Sequence, residues 1–541
     1  MKSFHNFYRI SERIKFSDNL KISTNLFFIR RIMTTSIINI EDFSVITEGK
    51  ASILFPKDNA VFYNKVQQFN RDMSVAAIRT WSEIFLEEKE KKARKTKETS
   101  TAIVQSKNNT FTILEALAAS GLRSIRYAKE LPNIDFIVAN DLDADAVKSI
   151  NQNIEHNGLS KELVRANQGD ACSLMYQHLE YHKRFDVIDI DPYGTASPFL
   201  DAAVQSVQNG GLLCITCTDL AVLTGSTYPE KCYANYGSIP TKGEFCHEMA
   251  LRILLYTLST CAARYQRQII PLLSCSIDFY IRVFVRVVIS AAEVKKNCCN
   301  TSHIYVCTGC KSYYLQPLAK LKENNSYVPM VGPIVNSNCE HCGNKFHVGG
   351  PIWNSSIHDK GFVRKMLTHV KNSSTEVYGT HARMLGMLTV ISEEIDVPLF
   401  HSISVLSSKL NCTNPPLKQF CSALLNKGYK VSASHAMAGS VKTDAPMDVI
   451  WDVMRSWEKL HPVTMKNIAE NSPARKLLAV EPSFIADFKI HKDAEPPSRK
   501  IKLVRYQQNP EKNWGPKPRA SGKRKTKEVG NSERHAKKLA E

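Results

Sequence analysis

The sequence predicts an α/β domain of alternating strands and helices, followed by a smaller α+β domain held by a thiolate knuckle. Three observations carry this. Apolar runs rich in Val, Ile and Phe alternate with helix-period segments from residue 111 onward. Four of those runs end in a carboxylate or a small-residue turn. Two Cys-x2-Cys pairs, Cys307-Thr308-Gly309-Cys310 and Cys339-Glu340-His341-Cys342, follow the last run. A chain of 541 residues is too long for one core, and roughly three domains plus tails are expected.

In chain order, residues 1–34 hold seven Lys+Arg and two acids, the acid-poor basic character of a mitochondrial transit peptide, with Met33 as a second start. Residues 46–74 mix short apolar runs with Pro56-Lys57-Asp58-Asn59 and read as a strand-rich opening. Residues 87–109 are charged, then polar, and read as a solvated insertion. Phe111-Thr112-Ile113-Leu114 is a strand, Ala118-Ala119-Ser120-Gly121 a small-residue turn and residues 122–130 a helix. Such a unit lets backbone approach a ligand and offers it the helix's first N–H groups. Phe136-Ile137-Val138-Ala139 delivers Asn140-Asp141, twenty residues after Gly121, where an acid can bind a ribose diol. Asp143 and Asp145 sit in the next helix's first turn and are explained by its dipole. Residues 164–169 form a third strand that presents Asp170-Ala171, a carboxylate and an N–H able to read an adenine edge. Residues 185–190 make the fourth strand, 211–216 the fifth, and 276–289 contain the last.

The fourth strand releases Asp191-Pro192-Tyr193-Gly194. Proline donates no hydrogen bond, so the Asp191 carboxylate and nearby carbonyls form an acceptor cluster suited to an amino group. An ordinary turn would use the same residue types.

The motifs Glu115-Ala116-Leu117-Ala118-Ala119-Ser120-Gly121-Leu122-Arg123, Ala139-Asn140-Asp141-Leu142-Asp143, Asp191-Pro192-Tyr193-Gly194-Thr195 and Thr216-Cys217-Thr218-Asp219-Leu220 resemble those of the tRNA (guanine-26, N2)-dimethyltransferases. The likeness runs from Ile40 to Pro518, through Phe55-Pro56, Asn70-Arg71-Asp72 and Asn513-Trp514-Gly515-Pro516-Lys517. It departs at Ala118-Ala119, where a polar Ser or Thr is expected. The resemblance implies a Rossmann-like class I domain using S-adenosyl-L-methionine, with tRNA as partner. It implies that Arg71 and Arg123 hold the cofactor's methionine end, Asp141 its ribose, and Asp170 with Ala171 its adenine. Phe62 and Tyr193 would sandwich the target guanine, and Asp191 would orient its N2 amine and receive its proton.

Beyond the catalytic segment, Cys307, Cys310, Cys339 and Cys342 have the spacing of a four-cysteine zinc site, structural because four thiolates leave no open position. The other cysteines have no short-spaced framework, which suits a reducing compartment. Residues 375–480 read as mainly helical with a short hairpin near Tyr429-Lys430-Val431, either a winged-helix-like RNA-docking domain or a plain helical core. The resulting division is a targeting segment over 1–39, the methyltransferase over 40–300, a zinc segment over 301–374, a docking domain over 375–490 and a basic tail over 491–541. The net charge is +19, and the last 44 residues, from Ser498, carry 14 Lys+Arg against four acids. Such a tail favours a polyanion, and Lys523-Arg524-Lys525-Thr526-Lys527 reads as a nuclear address or a tRNA grip. Nucleus and mitochondrion are both expected, the protein is expected to be a monomer, and no apolar run approaches the ~18 residues of a membrane span. Two other readings stand beside the enzyme: a zinc-stabilised tRNA-binding or remodelling protein without chemistry, and an amine methyltransferase acting on DNA or protein.

Overall fold

The computed structural model describes residues 43–56, 63–99, 109–225, 227–499, 501, 503 and 504. Phe62, all of the expected targeting segment and most of the basic tail lie outside the described residues.

The chain opens with a hairpin, β1 (Phe43–Glu48) and β2 (Ala51–Pro56), and the helix α1 (Gln68–Thr99). The α/β unit follows as β3 (Phe111–Glu115), α2 (Leu122–Glu130), β4 (Ile134–Asp141), α3 (Ala144–His156), β5 (Val164–Gln168), α4 (Ala171–Tyr176), β6 (Phe185–Ile190), α5 (Ser197–Ser206) and β7 (Val207–Cys217). The strands β8 (Arg267–Ile277) and β9 (Tyr280–Ile289) complete a seven-stranded sheet of order β5-β4-β3-β6-β7-β9-β8. The first five pair in parallel, and β9 runs antiparallel to both β7 and β8. Two antiparallel steps restore direction, so β8 ends at the same edge as β3, β4, β6 and β7. Parallel strands are covered on both faces and therefore read as unbroken apolar runs. Val187, Ile188, Leu212, Leu213 and Ile215 are fully buried, each side chain contributing about 1.5–3 kcal/mol.

Two stretches differ from their sequence reading. Residues 68–74, expected among strands, begin α1, and the charged residues from Glu87 continue it. Side chains from Lys89 to Arg94 are exposed as expected, but they are helical. The backbone is supported by the Arg79–Glu83, Glu87–Lys91 and Glu90–Arg94 pairs, at 3.8, 3.3 and 3.8 Å one turn apart, each worth about 0.2–0.5 kcal/mol. β8 also begins nine residues before the expected 276. Pro271 hides it, sitting at a register shift on the sheet's edge strand, where a missing N–H is tolerated.

Further along, Thr301–Cys307, Tyr313–Pro317 and Phe346–Trp353 form an antiparallel sheet carrying the cysteine pairs. Helices Lys360–Lys371 and His381–Glu393 pack back on the first core. Helices Ile403–Leu410 and Leu417–Asn426 precede the paired strands Val431–Ser432 and Ser440–Thr443. The last long helix, Met447–Leu460, joins the cysteine core through Trp451, whose Nε1 donates to Ser312 Oγ at 2.9 Å. No helix among the described residues is long and apolar enough to cross a membrane.

Candidate active site

Strand order reverses at β3, which places a crevice outside the carboxyl ends of β3 and β6. A cavity of about 490 Å³ lies there, within the roughly 300–1,000 Å³ usual for ligand sites. Of the residues expected from sequence, Arg71, Arg123, Asp141, Asp170, Ala171, Asp191 and Tyr193 all line it.

The turn after β3 is shaped by backbone. Ala119 and Gly121 take φ of 48° and 76°, and a Cβ on Gly121 would meet the Ile150 side chain at a tight 3.3 Å, so conformation and space both favour glycine there. Ala119 N–H donates to Asp141 Oδ2 at 2.8 Å, and Asp143 N–H to Asp141 Oδ1 at 3.0 Å. These bonds orient the Asp141 carboxylate and leave each oxygen a second acceptor position. Asp170 caps α4, accepting from Ser173 N–H at 2.8 Å, and is exposed.

Asp189 and Asp191 lie two positions apart, so a strand's alternation sends both the same way, toward Arg123. Their environments differ. Asp189 is fully buried, 2.8 Å from Arg282 Nη1 and 2.5 Å from the Tyr127 hydroxyl. Burial alone would raise its carboxyl, but Arg282 and Arg123 hold it below the usual range. Asp191 is half-buried, pairs with Arg123 Nη2 and faces the cavity. Arg123 also donates to Asn70 Oδ1 and Ser74 Oγ, both at 3.4 Å. These bonds use three of its five N–H groups. Arg71 gives three to Glu48 and the Asn64 carbonyl.

The turn is tied to the end of β7. Gly194 N–H donates to Thr218 Oγ1 and Thr218 N–H returns to the Gly194 carbonyl, both at 2.9 Å. Tyr236 reaches Asp219 at 3.0 Å and Thr195 Oγ1 at 2.6 Å, and burial raises the Asp219 carboxyl. Tyr193 remains 46% exposed. Asn64, Gln67 and Phe279 also line the cavity and escaped the sequence reading. For Phe279 the available signal was an aromatic residue at the tip of a two-residue turn between β-branched strands.

Two groups of side chains among the described residues have the arrangement of metal ligands. Cys307, Cys310, Cys339 and Cys342 bring four buried sulfurs within 4.8 Å of one another, with closest approaches of 3.3 and 3.6 Å. Those separations suit four thiolates around one ion at ~2.3 Å and are too long for disulfides. The second group, His358, Glu394 and His435, does not fit a cation. Ser274 N–H donates to His358 Nδ1 at 3.3 Å and Ser276 N–H to His435 Nε2 at 3.2 Å. In the neutral rings the proton is therefore on the nitrogen nearer Glu394, at 4.0 and 2.8 Å. Lys442, which also pairs with Glu248 at 3.0 Å, already pairs with that carboxylate at 2.8 Å, and with His435 keeps it ionised despite burial.

The profile of a family described as "N2,N2-dimethylguanosine tRNA methyltransferase" matches residues 35–455. A Schizosaccharomyces pombe protein named tRNA (guanine(26)-N(2))-dimethyltransferase is 47% identical over 90% of this chain and 94% of its own length. The human protein of that name is 45% identical over 88% and 78%. A Saccharomyces cerevisiae relative, named as the mitochondrial dimethyltransferase, is 40% identical over 89% and 93%. Among solved structures, Trm1 from Pyrococcus horikoshii in complex with S-adenosyl-L-methionine aligns with a TM-score of 0.61 and 28% identity, covering 75% of this chain and 98% of that one.

Proposed function

We infer the activity from one premise: the chain belongs to the N2,N2-dimethylguanosine tRNA methyltransferase family. It is a tRNA methyltransferase that uses S-adenosyl-L-methionine to modify N2 of guanine 26, giving mono- and then dimethylguanosine. The observation that carries this reading is the meeting of Asp141, Asp170 and Asp191, from the ends of three parallel strands, in one cavity.

The donor set fits the cofactor. Asp141 is proposed to take the ribose diol, Asp170 and the Ala171 N–H the adenine edge, and Arg71 and Arg123 the methionine end through N–H groups left over from their protein partners. The bound cofactor supplies an electrophilic methyl carbon. Guanine N2 is a poor nucleophile because its lone pair is delocalised into the ring. Asp191 orients the amine, and Pro192 adds no competing N–H. As N2 gains its methyl it becomes acidic, and the Asp191 carboxylate receives the departing proton. The base must leave the helical stack at a cost of a few kcal/mol, partly offset by stacking on Tyr193 and Phe62. Holding amine and methyl in line supplies part of the ~7–11 kcal/mol available from proximity.

The four cysteines are proposed to hold one structural zinc, and residues 375–490 to dock tRNA, supported by the helix pair, the hairpin and the exposed Lys427 and Lys430. The enzyme is read as a monomer. Its basic ends suggest mitochondrial import from Met1 and a nuclear pool from Met33. Met1→Ala is then expected to remove the mitochondrial signal of a C-terminally tagged protein and spare the nuclear one.

Nucleoside mass spectrometry of tRNA incubated with the protein and labelled cofactor tests the activity. Label in N2-methyl- and N2,N2-dimethylguanosine, abolished when guanine 26 is replaced, is expected. Binding without methyl transfer, or label elsewhere, overturns the reading.

A further inference from the structure

The turn joining β8 and β9 is two residues long, Asp278-Phe279, closed by the Ile277–Tyr280 pair. It emerges at the same sheet edge as Asp141 and Asp191, and Phe279 lines the cavity with Arg71, Asp191 and Tyr193. Asp278 takes a φ of 45°, the left-handed conformation that a two-residue hairpin turn places at its first central residue and that Asp tolerates. Its side chain is held from far along the chain. Arg383, in helix His381–Glu393, donates from Nη1 and Nη2 to the two carboxylate oxygens of Asp278 at 3.0 and 2.9 Å. Its guanidinium also lies 4.4 Å from the Phe69 ring centre, and the side chain is buried. A planar fork on a carboxylate fixes orientation as well as distance.

Sheet order says which end of the cavity Phe279 serves. Strands are spaced about 4.8 Å apart, so the turn at β9 and β8 is about 10–14 Å from β6, which carries Asp191, and about 19–24 Å from β4, which carries Asp141. Phe279 therefore stands on the amine-acceptor side, away from the ribose acid.

We propose that Phe279 is a wall of the pocket for the extruded guanine, and that Arg383 is its positioning residue, acting through Asp278. The proposal rests on the methyltransferase reading above. It makes a helix beyond the cysteine sheet part of the base pocket, so the segment proposed to grip tRNA also sets the geometry in which the target base is held.

The test measures kcat and KM for tRNA, cofactor affinity by calorimetry, and the fluorescence of 2-aminopurine at tRNA position 26, which reports stacking of the extruded base. Phe279→Ala is expected to lower kcat by roughly 10-fold or more, with cofactor affinity within about twofold of wild type and a changed fluorescence signal. Phe279→Tyr is expected to retain most activity. Asp278→Asn, which tolerates the left-handed backbone but loses the charge, and Arg383→Ala are expected to give the same fluorescence change with smaller losses. Combined with Phe279→Ala, Arg383→Ala is expected to add little. Thermal melts monitor folding, and Arg383→Lys, which keeps charge without the fork, provides a second variant. Wild-type kcat in Phe279→Ala, full additivity in the double variant, or a matching loss of cofactor affinity overturns the proposal. A wild-type protein inactive on tRNA would instead overturn the underlying reading.

Discussion

The cavity at the edge of the large sheet and the four-cysteine knuckle both gather polar atoms from separated parts of the chain, but they finish the task differently. In the cavity, Asp141 keeps acceptor capacity and Arg123 keeps N–H groups, beside a Tyr193 ring that is 46% exposed. In the knuckle, four sulfurs face one another on cysteines at most 2% exposed, in one buried core with Ile403, Ile450 and Trp451. A site that exchanges ligands must remain half-satisfied, whereas one that secures a fold is closed. Changes in the first should therefore alter chemistry, and changes in the second should alter folding.

The largest expected effect tests the first half of that contrast. Asp191→Ala is expected to cut methyl incorporation into tRNA by roughly 10²–10⁴-fold, with cofactor affinity and the melting temperature close to wild type. A collapse of the fold would break the comparison, because Asp191 would then belong with the buried Asp189. The second half is tested at the knuckle. If the knuckle holds the proposed zinc, Cys310→Ser, or a strong chelator, is expected to remove it and destabilise the protein by several kcal/mol, read by elemental analysis and denaturant melts. A folded, active protein without thiolate-bound metal would remove the structural role.

The smallest expected effect lies where the two kinds of site meet. Glu115 ends β3 and lines the cavity, yet it is buried and accepts from the Ser124 N–H at 3.0 Å. Burial pushes its carboxyl up to about 8, above the ordinary 4.5 of the unfolded chain. The folded state holds an extra proton between those values, so this group's stabilisation is complete below 4.5 and is lost as pH rises through 8. Glu115→Gln should flatten the decline between pH 5 and 8 by on the order of 1–3 kcal/mol, measured by urea melts across that range. An unchanged slope would show that Glu115 does not titrate there.

Much of the site was legible because its pieces are local. An apolar run that ends in an acid marks both strand and edge, as at Asp141, Asp170 and Asp191. What escaped depends on partners distant in sequence. Nothing near Arg123 says that Asp189 and Asp191 will divide it between a buried role and a cavity-facing one, 66 and 68 positions away. Nothing near Asp278 announces Arg383, 105 positions later. The continuation of α1 through Glu87 failed for the opposite reason, because its charge suggested solvent correctly while the one-turn spacing of its ion pairs carried the helix.

One consequence concerns the order in which the chain is made. β8 is the last strand of its sheet, with backbone groups turned outward. Two of its N–H groups, on Ser274 and Ser276, are covered by imidazoles that arrive 84 and 159 residues later. At synthesis rates of about 5–20 residues per second, the wait for the second is roughly 8–30 s. During that interval a nascent chain presents an uncapped strand able to recruit another copy. Premature termination before residue 435 would make that exposure permanent, so truncated products should aggregate through this edge even when their catalytic residues are all present.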